Sequence, residues 1–534
     1  MREPGTLVSC LERAAAAGAG VRFLDRSEER IVLYRDVLER ARTVAGSLAA
    51  MGIEPGSRVG VAVPTGPSFY DAFFGVLAAG AAPLSLPLPP RFGSRRGFNE
   101  ELHASVEASG ARLVLTDVAG RVRLPGLNVA ALGELPEAPP RLVDGEPDSL
   151  ALVQLSSGTT GPPKPIPLTH RQLLANVRAI RDRILECYPA ARGYEHGCVS
   201  WLPLYHDMGL VGALLTALAE PAPLTLMKPE EFVARPARWL QAISRYRATI
   251  SAAPHFAYEL AVERVRDHEL QGVDLSSWLL ALDGAEPVTA STLERFYRRF
   301  RAYGLRREAL TPVYGLAEAT LAVTFSDPDR SFTYRSFDVA ALVEKDEAVE
   351  SPEGVEIVSS GKPVPGVDVE IADDGGGRLP DGRVGRIRIR GASVTSEGVD
   401  AEGFLDTGDR GFLRDGELYL CGRSQEVLIL RGRNYAPERI EQAIEGVPGL
   451  KAGAVAAVSI LGERGEGLCV LAERGFDVVP EDEERAIDEI RARVVARCGV
   501  DPVVVFLDPG SLPRTSSGKI RRRQAARLFA GARL

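Results

Sequence analysis

The chain has 534 residues, 45% of them hydrophobic and 25% charged, with a formal net charge of −8. At about 150 residues per domain that length implies roughly two to four domains. The acidic balance argues against a nucleic-acid partner. The longest apolar run, 208–219, is too short for a bilayer, which takes about 20 residues. Acidic Glu3 and Glu12 argue against a signal peptide, so a cytoplasmic protein without a membrane span is expected. Six cysteines without C-x-x-C spacing give neither a zinc site nor a disulfide framework. Of 64 basic residues only Lys164, Lys228, Lys345, Lys362, Lys451 and Lys519 are lysine. A lysine here therefore marks a place where arginine would be a poor substitute for a compact, mobile charge.

The first third alternates helical and strand patterns. Residues 34–51 place Val37, Leu38, Ala41, Val44, Ala45 and Leu48 at helical spacing, and Gly52 stops them. A strand over 58–63, a helix over 67–79, a strand over 82–86, a helix over 100–109 and a strand over 112–116 follow. Such alternation predicts parallel βαβ units in a layered α/β domain, with substrates beyond the carboxyl ends of the strands. There the apolar run Leu150-Ala151-Leu152-Val153 leads into Leu155-Ser156-Ser157-Gly158-Thr159-Thr160-Gly161-Pro162-Pro163-Lys164. Glycines, hydroxyls and a lysine on a strand-end loop suit the close approach of a polyphosphate, whose oxygens the backbone N–H groups can cradle. The spacing is not that of a P-loop, because Gly158 and Gly161 are too close and Lys164 follows two prolines.

A helix is predicted over 169–179, then a strand over 199–203 that delivers Leu204-Tyr205-His206-Asp207-Met208-Gly209 to a loop, followed by an apolar helix. Strands over 248–252 and 279–282 come next, the second running into Asp283-Gly284-Ala285-Glu286-Pro287, and then Val313-Tyr314-Gly315-Leu316-Ala317-Glu318. After about 324 the pattern changes. Short strands over 355–358, 367–371 and 386–390, closed by Asp406-Thr407-Gly408-Asp409 and 416–420, predict a small antiparallel unit. Beyond Gly422-Arg423 the chain restarts with a strand over 427–430, a helix over 437–444, a strand over 454–458, a helix over 481–496, a strand over 503–507 and an arginine-rich tail. The expected class is α/β. A large N-terminal domain (1–424) of layered α/β subdomains and a small β unit precedes a small, mobile α+β C-terminal domain (425–534).

This order of motifs resembles the adenylate-forming superfamily of acyl-CoA synthetases, peptide-synthetase adenylation domains and luciferases, over nearly the whole chain. Ser156 to Gly161 with Lys164 matches the family's phosphate loop, although Pro165 stands where a glycine is usual. The resemblance implies that Asp283, Gly284, Ala285, Glu286 and Pro287 flank the adenine of ATP. It likewise implies that Tyr314, with Gly315 and Leu316, stacks on that ring and that Glu318 holds Mg²⁺. Asp409 and Arg423 would bind the ribose, and Gln425 would be the hinge, where Asp or Lys is usual. In Pro513-Arg514-Thr515-Ser516-Ser517-Gly518-Lys519 the lysine would reach the reacting centre. There a carboxylate attacks the α-phosphorus and pyrophosphate leaves, a reaction that rests on positioning and charge stabilisation.

Within the superfamily, Trp201-Leu202-Pro203-Leu204-Tyr205-His206-Asp207-Met208-Gly209-Leu210, Tyr-Gly-Leu-Ala-Glu-Ala-Thr at 314–320 and Arg431-Gly432-Arg433-Asn434-Tyr435 look most like the fatty acyl-AMP ligases. His206 would gate an acyl pocket formed with Tyr205, Asp207, Met208 and Gly209. Val211, Leu214, Leu215 and Leu218 lie at helical spacing, for which core packing is the default and a tunnel wall the alternative. The long, charged and irregular segment 332–359 falls where that branch carries an insertion associated with passing the acyl group to an acyl carrier protein. Lys164 is kept here, whereas many members of the branch lose it. The implied partners are a fatty acid and a separate carrier protein. An acyl-CoA synthetase, and a non-catalytic acyl-adenylate-binding relative, remain open.

Overall fold

The computed structural model describes residues 3–25, 28–89, 95–122, 124–156, 163–189, 195–423, 428–430, 433–462, 465–475, 480–498, 500–515 and 518–529. Two parallel-rich sheets carry the N-terminal part. In the six-stranded one the order is Val129–Ala131, Leu113–Thr116, Arg58–Ala62, Ala82–Ser85, Leu150–Leu155 and Pro165–Thr169. All its pairs are parallel except the last, where Leu155 faces Pro165. In the nine-stranded one, Gly20–Asp25, Leu224–Met227, Cys198–Ser200, Ile250–Pro254, Leu280–Gly284 and Leu310–Gly315 form a parallel centre with antiparallel strands at both edges. Helices such as Tyr34–Ala50 and Pro67–Ala78 cover these sheets, and Tyr70, Phe69, Phe73 and Phe74 are fully buried between the layers. Burial on both faces explains the near-continuous apolar strands.

Local signals set the boundaries. Gly52 takes φ +80° behind the helix Tyr34–Ala50. Thr169 caps His170–Cys187 through the Gln172 N–H while the Gln172 side chain reaches back, a reciprocal cap. A four-stranded antiparallel sheet, Val367–Ala372, Gly385–Gly391, Leu405–Arg414 and Glu417–Arg423, forms the small β unit. Val355–Val358 is not part of it, contrary to expectation, because it pairs with Tyr334–Phe337.

The segment 332–359 is also more regular than its sequence reads. Besides that strand pair it contains the helix Val339–Glu344, and Phe337 packs edge-on against Phe412 at 5.0 Å and Tyr419 at 5.8 Å. Past 423, a three-stranded sheet (Leu450–Gly462, Gly465–Arg474, Val503–Leu507) with the helices Pro437–Ala443, Pro480–Cys498 and Arg522–Phe529 makes the smaller C-terminal domain. The expected hinge, Gln425, lies outside the described residues. Among the described residues no helix is long and apolar enough to cross a membrane.

Candidate active site

The carboxyl ends of both sheets and the C-terminal domain enclose a cavity of about 1070 Å³. Ser156 and Lys164 stand at its edge, where the Ser156 N–H donates to Lys164 O at 2.8 Å and the Lys164 N–H to Ser156 Oγ at 2.9 Å, pinching the neck of the loop. Ser157, Gly158, Thr159, Thr160 and Gly161, which the loop would use on phosphate, lie outside the described residues. Gln154, on the strand before the loop, donates to Tyr205 O at 3.0 Å and so ties this neck to the next motif.

That motif turns sharply. His206 Nδ1 lies 2.8 Å from Asp207 Oδ1, which also accepts the Met208 N–H at 2.8 Å. Burial opposes the Asp207 charge, but His206, the Met208 N–H and Lys519 outweigh it and hold the carboxyl below its usual range. The apolar helix then runs as a π-helix, Met208–Leu215, before an α-helical turn, Thr216–Ala219. The wider helix sends Val211, Leu214, Leu215 and Leu218 into the core, as their spacing favours, and leaves Gly212 and Ala213 facing the cavity. With Ala252, Leu282, Val313 and Leu321 these small and apolar side chains supply an apolar part of the lining, its arm, in a cavity that His206, Asp207 and Met208 also line. Tyr205 and Gly209 do not line it: a Cβ on Gly209 would lie 2.4 Å from Pro203 O, so glycine serves the turn itself.

On the opposite side, Ala285, Glu286 and Pro287 line the cavity, whereas Asp283 and Gly284 do not. Asp283 is fully buried and bonds His255 Nδ1 at 2.7 Å. A Cβ on Gly284 would meet Val313 O at 2.7 Å. Ala285 sits at φ +66°, a left-handed conformation costing of order 1–2 kcal/mol in a non-glycine residue. The Glu286 carboxylate accepts the Phe256 N–H at 3.0 Å, which fixes this strained turn to the preceding helix, His255–Arg264.

Tyr314, Gly315, Leu316 and Glu318 all border the cavity. The Tyr314 hydroxyl donates to Asp409 Oδ2 at 2.7 Å, and Arg423 Nε donates to Asp409 Oδ1 at 3.2 Å. One carboxylate thus links the end of the parallel sheet to the small β unit. Burial, followed by the Asp409 charge, raises the Tyr314 phenol well above its ordinary value. Glu318 lies in the turn Ala317–Ala319, and its carbonyl accepts the Thr395 N–H at 2.7 Å. Burial and the charges of Asp207 and Asp409 raise its carboxyl pKa, against the pull of Arg423.

Lys519 enters the same cavity from the C-terminal domain. Its N–H donates to Thr515 Oγ1 at 3.1 Å and its carbonyl accepts the Thr515 N–H at 2.7 Å, so the loop around it is closed on itself. Burial and then Arg423 lower the ammonium pKa, opposed by Asp207, Glu286 and Asp409. Residues from five separated motifs therefore share one electrostatic site. Arg521 pairs with Glu101 of the helix Arg95–Ser109, across the domains. Sequence reasoning missed Thr407, which lines the cavity and whose Oγ1 accepts the Asp409 N–H at 3.1 Å; its place in Asp-Thr-Gly-Asp was the available signal.

The family model for AMP-binding enzymes matches residues 11–397. The chain belongs to that family. Its members form acyl adenylates from ATP, and this AMP-binding enzyme is an ATP-dependent acid ligase. A protein of Caulobacter vibrioides provisionally named acyl-CoA synthetase is 33% identical, over 98% of this chain and 95% of that protein. The medium-chain-fatty-acid–[acyl-carrier-protein] ligase JamA of Moorena producens is 34% identical, over 97% and 94%. A solved fatty acyl-adenylate ligase, from work on the E. coli and L. pneumophila enzymes, superposes with a TM-score of 0.90 at 33% identity, over 99% of this chain and 98% of that one.

Proposed function

We propose that this AMP-binding enzyme is a fatty acyl-AMP ligase. It joins a fatty acid to ATP, forming acyl-AMP and pyrophosphate, and then passes the acyl group to the phosphopantetheine thiol of a separate acyl carrier protein. The observation that carries this reading is the single cavity in which an apolar arm at Gly212 and Ala213 meets Lys519, Tyr314 and Asp409. The fatty chain occupies the arm and its carboxylate emerges beside His206. Tyr314 packs on the adenine, Asp409 and Arg423 hold the ribose, and the loop from Ser156 to Lys164 holds the pyrophosphate. Lys519 neutralises the carboxylate and α-phosphate as they converge, in a site whose low dielectric strengthens that attraction.

Glu318 fits Mg²⁺. Its buried carboxyl is crowded by Asp207 and Asp409, a repulsion that a cation relieves. Mg²⁺ is ordinarily bound through one or two carboxylates plus substrate phosphates, and among the described residues no cluster of three or more ligating side chains offers a fuller cage. Bound there, the ion would offset charge on the phosphate oxygens.

Transfer follows when the domain from 425 onward rotates and withdraws Lys519. A carrier protein is favoured over CoA as acceptor by the 34% identity to JamA and by the folded segment 332–359, whose helix Val339–Glu344 packs beside Arg433–Tyr435 just past the proposed hinge. The test is intact-mass detection of products with ATP, Mg²⁺ and an acid panel of graded length, offering CoA and a holo-carrier protein in parallel. Acylated carrier without acyl-CoA is the expected result. Acyl-CoA formation overturns the choice of acceptor, and no acyl-AMP from any fatty acid overturns the substrate class.

A further inference from the structure

A buried charge cluster on the wall of the cavity has no role in the adenylation proposed above. His255 begins the helix His255–Arg264 and is 7% exposed. Its Nδ1 bonds Asp283 Oδ2 at 2.7 Å, while Nε2 lies 3.0 Å from Thr289 Oγ1 and 3.8 Å from Glu445 Oε1. Glu445 belongs to the C-terminal domain, where its backbone carbonyl accepts from Arg493 Nη1 at 3.0 Å. Its carboxylate, however, is held by the N-terminal domain. Thr292 Oγ1 donates to it, Ser291 Oγ donates at 3.3 Å, and Arg295 Nη2 stands 4.0 Å away.

Given the two-step reaction proposed above, we infer that Glu445 is a positioning residue: docked on His255 and Thr292, it holds the C-terminal domain in the orientation that keeps Lys519 in the cavity. The location suits the role. His255 and Glu445 themselves line the cavity, and Asp283, which fixes His255, immediately precedes the strained Ala285-Glu286 turn on the same wall, so the docking point is part of the cavity. A carboxylate that leaves such a pocket loses its partners at once, which makes the docked state distinct from a partly open one.

The surroundings also give the contact a pH dependence. His255 faces the carboxylates of Asp283 and Glu445; Glu259 and Arg295 complete the cluster, 3.1 Å apart, and Glu286 and Tyr258 face Asp283. Burial opposes the His255 charge, but Asp283 and Glu445 outweigh it and raise its pKa well above the imidazole range. Burial and then Glu445 push Glu259 up to about 7. Burial opposes the Glu445 charge, yet His255 and Thr292 draw its carboxyl down to about 2. Docking brings the Glu445 charge in and so raises proton affinity at His255 and Glu259. At His255 and Glu259 the docked state binds more protons, so through this cluster rising pH weakens docking, while the lowered ammonium pKa of Lys519 acts the opposite way.

The experiment compares ATP–pyrophosphate exchange with acyl transfer from supplied acyl-adenylate to a holo-carrier protein, in the full chain. Glu445→Gln is expected to slow exchange about tenfold, the worth of one hydrogen bond to a charged group, with transfer unchanged. Glu445→Asp should restore part of the loss, and Thr292→Val, which keeps shape and removes one donor, should show a smaller loss of the same kind. From about pH 7 to about pH 9 the exchange-to-transfer ratio of the wild type should fall relative to that of Glu445→Gln, which keeps the Lys519 contribution and loses that of the cluster. Unchanged exchange in both Glu445→Gln and Thr292→Val, or equal loss of both half-reactions, overturns the positioning role. A wild type that exchanges no pyrophosphate with any acid overturns the two-step reading instead.

Discussion

Replacing Lys519 with methionine removes one positive charge and keeps most of the side chain's volume. In the cavity that charge is shared among Asp207, Glu286 and Asp409 and opposed by Arg423, and burial depresses the ammonium pKa. A depressed lysine pKa means that the folded protein favours the neutral amine. Its charge costs stability at neutral pH, and that cost vanishes as pH rises toward the ordinary value of about 10.4. Methionine at 519 should therefore leave the thermal midpoint unchanged or raise it. The reaction behaves oppositely. A unit charge about 4 Å from a developing negative oxygen, at an effective dielectric of about 20, contributes about 4 kcal/mol, or roughly a thousandfold in rate. ATP–pyrophosphate exchange should fall by about that factor, while transfer from supplied acyl-adenylate is spared, because the proposed mechanism gives Lys519 no part in the second step. Equal losses in both half-reactions, or a midpoint that drops by several degrees, would refute the reasoning, since the lysine would then be a structural residue.

Gly212→Leu should shorten the acyl arm: even a Cβ there would lie 3.0 Å from Leu321 Cδ2, so a larger side chain must project into the cavity. Activity on the longest accepted acids should be lost while that on short ones persists, read from the chain-length profile of acyl-AMP formation. Tyr314→Phe removes the hydroxyl that donates to Asp409 at 2.7 Å but leaves the Arg423 contact. A hydrogen bond to a charged group is worth about 1.5–3 kcal/mol, so ATP affinity should weaken about ten- to hundredfold, measured by isothermal titration. His170 is 4% exposed, its Nδ1 accepts the Leu7 N–H at 3.1 Å, and burial lowers its pKa to about 4. The unfolded imidazole protonates below about 6.5 and the folded one only near 4, so acidification through that window should cost up to about 3 kcal/mol. Urea melts at both ends of the window would show it, and His170→Gln should flatten the difference.

The sequence was legible where local chemistry decides structure. Gly52 ends a helix because it accepts a positive φ, and Thr169 with Gln172 starts one because each satisfies the other's backbone donor. The motifs around His206, Glu318, Asp409 and Lys519 could be listed from sequence, but their meeting at one site followed only from the resemblance to a family, since no local pattern encodes two sheets and a second domain closing together. The π register of Met208–Leu215 was hidden because nearly every side chain there is apolar and buried, so any helical period fits. The regularity of 332–359 was hidden for the opposite reason: its two strands are short, and the aromatic partners of Phe337, Phe412 and Tyr419, lie far along the chain. His255 gave no signal, because a lone histidine at a strand end is ordinarily a satisfied core residue, and the partner that gives it a role lies in the other domain.

These electrostatics would drive the proposed alternation of the domains. Lys519 is held in the cavity against its own solvation preference, so in the absence of substrate it opposes docking. Contacts between the domains offset it: Arg521 on Glu101, and Glu445 on Thr292 and His255 at the cavity wall. In the proposed reaction ATP and the acid would add negative charge beside the lysine and strengthen the docked state, while departure of pyrophosphate would remove much of that charge. The balance thus shifts toward release when adenylation is complete, without any new contact being made. If so, added pyrophosphate should hold the domains together in the presence of a non-hydrolysable acyl-AMP analogue. Fluorophores on the two domains should then report higher transfer efficiency with both ligands than with the analogue alone; equal efficiencies would mean that charge at Lys519 does not drive the exchange.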